Sequence, residues 1–222
     1  MKKFLFGLMF ACMCSLASAN VVVRVDNGIG DGPGGEFNLT PISGWDFAPS
    51  SLTHDGYFES FCLERDERTF FDREFYGEFN TGATLGGGGA IDGFDPLSNQ
   101  TAYLYRQFID GNLSDYDYAL GSGRVDSANA LQDVIWFIEE EQDKNWTDGN
   151  GSLQDLFYQD ALANAGNDLA GVHVINMYTG YGKDFRHRQD MLVATAQVPL
   201  PGAALLGLIG FGSVRFFRRK LS

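Results

Sequence analysis

Residues 126–141, from Asp126 to Glu141, constrain this chain most, because their apolar side chains return with the period of a helix. Leu131, Val134, Ile135 and Ile138 stand at i, i+3, i+4 and i+7 and make one apolar stripe. Asp126 or Ser127 offers a side-chain oxygen for the N-terminal cap. One residue interrupts the pattern. Gln132 stands one step round from Leu131, with Ile135 and Trp136 a turn further on, so its carboxamide is expected at the edge of the buried face. A half-buried carboxamide must find hydrogen-bond partners or serve a chemical purpose.

Around this helix the sequence reads mostly as strands. Residues 21–25 are a β-branched run, and 36–40 start a second strand after a Gly/Asp-rich loop. Residues 57–64 alternate well enough for a third, with Cys62 near its end, and 70–79 continue an aromatic-rich β pattern. A glycine run at 86–89 lacks the Lys-Ser/Thr and following helix of a phosphate loop. Ser98 caps and Gly111 stops a helix whose face is Ala102, Tyr105, Phe108 and Ile109. After the central helix come a polar loop at 143–152, a short helix near 153–164, and closing strands at 172–178 and 191–196. The expected class is mainly β with a small helical insertion, an α+β domain.

Charge and cysteine usage narrow the function. The chain of 222 residues carries 16 Lys and Arg against 29 Asp and Glu. Six basic residues lie at the two ends, which leaves 10 basic and 29 acidic residues, a net of −19, in the stretch 20–201. So acidic a body repels nucleic acid. Cys12 and Cys14 fall in an N-terminal leader, so Cys62 is the single cysteine of the mature protein. In an exported protein a lone cysteine is either a buried, inert thiol or a thiol held in some other covalent bond.

Both ends carry targeting signals. Lys2 and Lys3, an apolar stretch at 4–16 and Ala17-Ser18-Ala19 make a secretory signal over residues 1–19. No cysteine follows the cleavage site, so lipid anchoring is not expected. The body then spans 20–197, and 198–222 form a separate module: Pro199-Leu200-Pro201, an apolar segment at 203–214, and the basic end Arg215-Phe216-Phe217-Arg218-Arg219-Lys220. The apolar part is shorter than the ~20 residues of a spanning helix unless extended through Phe217, and its basic end belongs in the cytoplasm. This order of parts resembles the PEP-CTERM sorting signal, with Pro-Leu-Pro in place of the usual Pro-Glu-Pro. The resemblance implies a bacterial protein held in the inner membrane by its tail, cut by an exosortase-type sorting enzyme, and released to the cell surface or extracellular (biofilm) matrix.

Cys62 and Gln132 together suggest a chemistry. A thiolate can attack a carboxamide carbon and expel ammonia, leaving a thioester. Unstrained amides resist this, so the fold must hold sulfur and carbonyl in near-attack geometry, polarise the oxygen and exclude water. A strand-borne cysteine and a helix-borne glutamine, walled by Phe61, Ile135 and Trp136, meet those demands. Phe61-Cys62-Leu63-Glu64 and Leu131-Gln132-Asp133-Val134-Ile135-Trp136 resemble the cysteine and glutamine motifs of bacterial surface thioester domains, in the same order along the chain. Asp133 and Val134 depart from that pattern, which often has small residues there. Asp95-Pro96-Leu97-Ser98, Thr101-Ala102-Tyr103-Leu104-Tyr105 and Gln189-Asp190-Met191-Leu192-Val193 look like segments of PEP-CTERM proteins with this same middle. The resemblance implies a β-barrel- or sandwich-like thioester domain used for covalent adhesion, in which an amine or hydroxyl of a surface or matrix partner displaces Cys62. Such a bond reacts once, so the chain is not expected to be an enzyme. The other reading is a non-reactive structural or binding protein of the matrix, with Cys62 a free buried thiol.

Three other constellations are weaker. Cys62, His173 and Asn176 follow the order of papain-like proteases, but order alone is cheap and the required helix start around the cysteine is missing. His54, His173 and His187 show no ligand spacing, and His173 is expected on a strand facing solvent, so no metal and no cofactor are expected. The oxygen-rich loops at 26–32 and 143–150 fail the EF-hand pattern and read as solvated turns.

Overall fold

The computed structural model describes residues 21–196, apart from 33, 47, 52, 85–89 and 181–185. The expected leader and sorting tail, with Pro199, Leu200 and Pro201, lie outside the described residues. So does the glycine run. Among the described residues, no helix is long and apolar enough to cross a membrane.

Six strands form one antiparallel sheet in the order β3-β2-β1-β4-β7-β8: β1 (Val21–Asn27), β2 (Phe37–Ser43), β3 (Phe58–Ser60), β4 (Arg73–Asn80), β7 (Val172–Thr179) and β8 (Arg186–Ala194). A two-stranded hairpin of β5 (Gly82–Thr84) and β6 (Phe94–Pro96) follows β4. Three helices are then inserted in one block, α1 (Asn99–Ile109), α2 (Ser122–Ile138) and α3 (Leu153–Asn164). The mainly β, α+β class with a helical insertion is therefore what the chain adopts.

The sheet curls until its edges meet. Past β3 the chain runs on beside β8: Cys62 pairs with Met191, the Leu63 N–H donates to the Asp190 carbonyl at 3.0 Å, and the Leu192 N–H donates to the Phe61 carbonyl at 3.1 Å. The Ser60 hydroxyl adds a 2.6 Å bond to the Leu192 carbonyl. Alternation along each strand then sorts side chains between two cores. Val21, Val23, Val25, Leu39, Phe58, Phe75, Ile175, Met191 and Val193 fill the concave interior. Val172, Val174, Leu192 and Ala194 face outward onto the helices, against Leu104, Tyr105, Phe108, Leu131, Ile135 and Phe157. At the seam, Phe61 and Leu63 face the helices, while Cys62 between them points into the interior.

The helices differ in how local their causes are. In α1 the Ser98 hydroxyl accepts from the Thr101 N–H, and Gly111 takes φ 73° after the helix, where a glycine carries no steric penalty. The face of Ala102, Tyr105, Phe108 and Ile109 is buried as its spacing requires. α2 departs from expectation at its start. It begins at Ser122 rather than at Asp126 or Ser127, its cap position is Gly121, and no side chain caps it. Ser127 lies inside the helix, where its hydroxyl accepts from the Asp117 N–H. What fixes the first turn is Arg124, whose guanidinium grips Glu36 (2.6 and 2.8 Å) and Glu59 (2.8 Å) across the sheet, with the Tyr116 hydroxyl donating to Glu36. α2 ends at Ile138, short of the expected 141, and Ile138 is only partly buried. Strand bounds shift too. Residues 57–64 supply only Phe58–Ser60 as strand plus the bridge at Cys62, and the last strand starts at Arg186, before the expected 191. The β5–β6 hairpin had no counterpart in the strand reading.

Candidate functional site

The seam between β3 and β8 carries Cys62 to the end of the curled sheet, and α2 lies across it. α2 is buried on two sides. Leu131, Val134 and Ile135 face the other helices, while Trp136 belongs to the sheet interior, and Gln132 lies one turn before it on that inner side. Gln132 is accordingly not at an edge: it is 1% exposed.

Gln132 and Cys62 meet, though 70 residues separate them. The Gln132 Nε2 donates to the Cys62 carbonyl at 2.8 Å, and its Oε1 accepts from the Cys62 N–H at 3.2 Å. The carboxamide thus closes on the cysteine backbone as a neighbouring strand would. The Cys62 thiol, the free cysteine among the described residues, donates to the same Oε1 at 3.3 Å. Sulfur and carboxamide are therefore in contact, and a backbone N–H is already aimed at the oxygen on which negative charge would develop if the sulfur attacked.

The surroundings are dry on one side and open on the other. Phe61 and Ile135 are fully buried and Trp136 is 4% exposed. Phe61 stacks edge-on against Phe108 at 5.0 Å, and so stiffens the strand beside Cys62 from the helical side. The Trp136 indole N–H is buried without a hydrogen-bond partner. Burial pushes the Cys62 thiol far above its usual range; its own backbone N–H and the Trp136 side chain oppose this, and Glu64 and Glu141 reinforce it. At rest the sulfur is a thiol, not a thiolate. On the outer side a cleft of about 320 Å³ reaches Gln132, lined also by Asp31, Gly34, Asn129, Asp133, Trp136 and Asn145.

Gly34 is a member of this site that the sequence did not single out. A Cβ there would fall inside contact distance of the Gln132 and Trp136 side chains. The loop bearing it is tied to α2 by the Asp31 N–H, which donates to the Asn129 Oδ1 at 3.1 Å. The signal was present in the Gly/Asp-rich composition of residues 26–35, but nothing there names the helix it covers. Asp133 points away from Cys62, and accepts from Gln142, Asn145 and Gln154.

Other candidate residues do not gather at Cys62. Met191 of β8 pairs with Cys62 on one side and with Ile175 of β7 on the other, so a strand separates the cysteine from His173 and Asn176. The Asn176 amide is spent on the Gly82 carbonyl (3.0 Å) and the Asp190 carboxylate (2.8 Å). His173 is half-buried rather than solvent-facing, and burial lowers its pKa. The cysteine-protease arrangement is not assembled. In the 143–150 loop, Lys144 pairs with Asp148 and lies over the rings of Phe137, Trp146 and Tyr158.

No protein-family model, no curated protein and no solved structure matches this chain.

Proposed function

We propose that this is an exported bacterial surface or matrix protein whose Cys62 and Gln132 form an internal thioester, and that the bond acylates a nucleophile on a partner. One observation carries the reading: the thiol and the carboxamide are in contact at 3.3 Å, both buried, and Gln132 lines a cleft that a partner's amine or hydroxyl can enter. In the forming step the Cys62 proton leaves with the carboxamide nitrogen as ammonia, and sulfur bonds to the carbonyl carbon. The Cys62 N–H holds the oxygen, and the Trp136 side chain lies beside the sulfur. In the second step an amine attacks that carbon, the Cys62 sulfur departs and takes up the amine's proton, and the partner remains bound through the Gln132 side chain. Trp136 covers the pair from the interior side, while Phe61 and Ile135, packed in the helical core, stiffen the strand and the helix that carry it. The sorting tail, an exosortase-type processing enzyme, the transient hold on the inner membrane and the final place at the cell surface or matrix rest on the sequence motifs alone.

A second reading also has an observation behind it. The Gln132 carboxamide is fully paired with the Cys62 backbone, and the thiol is strongly held in its protonated form. Both are what an inert buried thiol in a structural or binding protein needs.

Intact mass decides between them. Protein purified without added amines should be one ammonia lighter than its sequence, while Cys62→Ala has its full mass. Methylamine should then add to the Gln132 side chain and free one thiol. A parent of full mass, with a thiol that iodoacetamide alkylates on unfolding, rejects the thioester and leaves the structural reading.

A further inference from the structure

Beside the Cys62 seam the fold collects acidic groups around a single histidine, with no lysine or arginine among them. Glu67, His187 and Asp190 place one ligand atom each within 4.8 Å of one another. His187 Nδ1 is 3.4 Å from Glu67 Oε1 and its Nε2 is 3.9 Å from Asp190 Oδ1. Asp190 is fully buried and held rigidly: its oxygens accept from the Thr84 N–H (2.8 Å), the Asn176 amide (2.8 Å) and the Met177 N–H (3.3 Å). A further buried carboxyl lies beside these three. Glu64 is 2% exposed, neither of its carboxylate oxygens has a hydrogen-bond partner, and its carboxyl lies against that of Glu67. One Glu67 oxygen and the His187 Nδ1 are likewise buried and unsatisfied. Among the described residues, no lysine or arginine lies within ion-pair distance of Glu64, Glu67 or Asp190.

Buried carboxylates without a cation are costly, and a native fold leaves few such groups unpaired. We propose that Glu67, His187 and Asp190 bind one divalent first-row cation of the zinc or manganese class, with the unpaired Glu64 carboxyl beside Glu67, and that the ion fastens the chain after Cys62 to β8. The donor set selects the ion. Two carboxylates and one imidazole suit these metals, whereas calcium wants six to eight oxygens. Ligands around a cation at about 2.1 Å sit roughly 3–4.2 Å apart, so the cluster needs only a slight contraction. Burial first, and then the neighbouring acids, raise the pKa of Glu64; burial also raises that of Asp190, against His187 and the Thr84 and Asn176 hydrogen bonds, which lower it. The site arises from segments 120 residues apart, so the absence of ligand spacing around His187 in the sequence does not bear on it. It stands independently of the thioester reading.

The test uses the purified protein, stripped with chelator and dialysed, then titrated calorimetrically with zinc, manganese or calcium chloride, with thermal melts alongside. Expected are one zinc or manganese ion per chain, a higher melting temperature at saturation, and at least tenfold weaker binding in Glu67→Gln and in His187→Gln. These two side chains sit at the rim of the cluster, 23% and 12% exposed, so both variants keep the Asp190 bonds that the fold needs. The absence of saturable one-to-one binding overturns the site. Equal affinity for calcium, or unchanged affinity in both variants, overturns it too.

Discussion

At the scale of single residues, the arrangement turns on Gln132. Its carboxamide satisfies the Cys62 N–H and C=O, which sit where the β3–β8 seam would otherwise leave them facing α2. Gln132→Ala removes both partners at once and opens a hole under Gly34, so it should cost roughly 2–4 kcal/mol. Urea denaturation of the variant beside the parent measures this. A loss under about 0.5 kcal/mol would mean that water replaces the amide easily, and that the pair is not a structural clasp. In protein whose full mass shows a free Cys62 thiol, the same experiment on Cys62→Ala should give a much smaller loss, because the bonds from Gln132 to the cysteine backbone remain. The contrast separates the backbone role of Gln132 from any role of the sulfur. The meeting of Cys62 and Gln132 was legible in the sequence because one cysteine and one misplaced amide were each anomalous alone. The Glu64–Glu67–His187–Asp190 cluster was not legible, since each residue is ordinary on its own strand or loop and only the seam brings them together.

At the scale of elements, α1 and α2 show why some boundaries can be read and others cannot. α1 is capped by its own Ser98, three residues before its first satisfied N–H, and the rule that reads this is local. α2 is started by Arg124 binding Glu36 and Glu59, 88 and 65 residues away, and no local rule sees that. Its end is also tied across the domain. Glu139 is 6% exposed, and accepts from the Ser98 hydroxyl at 2.6 Å. Burial raises its pKa to about 6, the Ser98 bond works against this, and Asp95 adds repulsion. A carboxyl whose folded pKa is raised favours the folded state while protonated, so stability falls as pH rises from 4.5 through about 6. Glu139→Gln removes this single titration and leaves the rest of the protein's pH dependence in place. The stability of the parent relative to the variant should therefore drop by about 2 kcal/mol between pH 4 and pH 7. Denaturant melts of both proteins across that range check it. A difference independent of pH, or one of opposite sign, would place the Glu139 carboxylate in a better-solvated setting than the structure gives it.

For the whole molecule, closure of the sheet decides how the site is reached. The first part of the chain supplies β1 to β4, the helices come next, and β7 and β8 return last to meet residues 61–63. Period-two alternation made the strands readable, but it carries no information about which edges join, so the curl of the sheet could not be read in advance. Phe61 and Leu63 lock the seam from the helical side, and Met191 and Val193 from the interior. If that packing makes the seam part of the global fold, it opens only when the protein unfolds. The Leu63 and Leu192 amides, bonded across it at 3.0 and 3.1 Å, should then exchange with solvent as slowly as those in the centres of β1 and β4. Native-state hydrogen exchange measures this, with the denaturant dependence of the Leu63 and Leu192 rates matching that of global unfolding. The result also bears on reactivity. If Cys62 and Gln132 form the proposed thioester, a seam that opens only globally forces any nucleophile to approach Gln132 through the cleft beside Gly34 and Asn129, so bulky amines should react more slowly than methylamine. Fast, denaturant-independent exchange at Leu63 and Leu192 would reverse the argument. Solvent and nucleophiles would then enter along the edge of β8, and the dryness of the acyl carbon would depend on how often that edge is open.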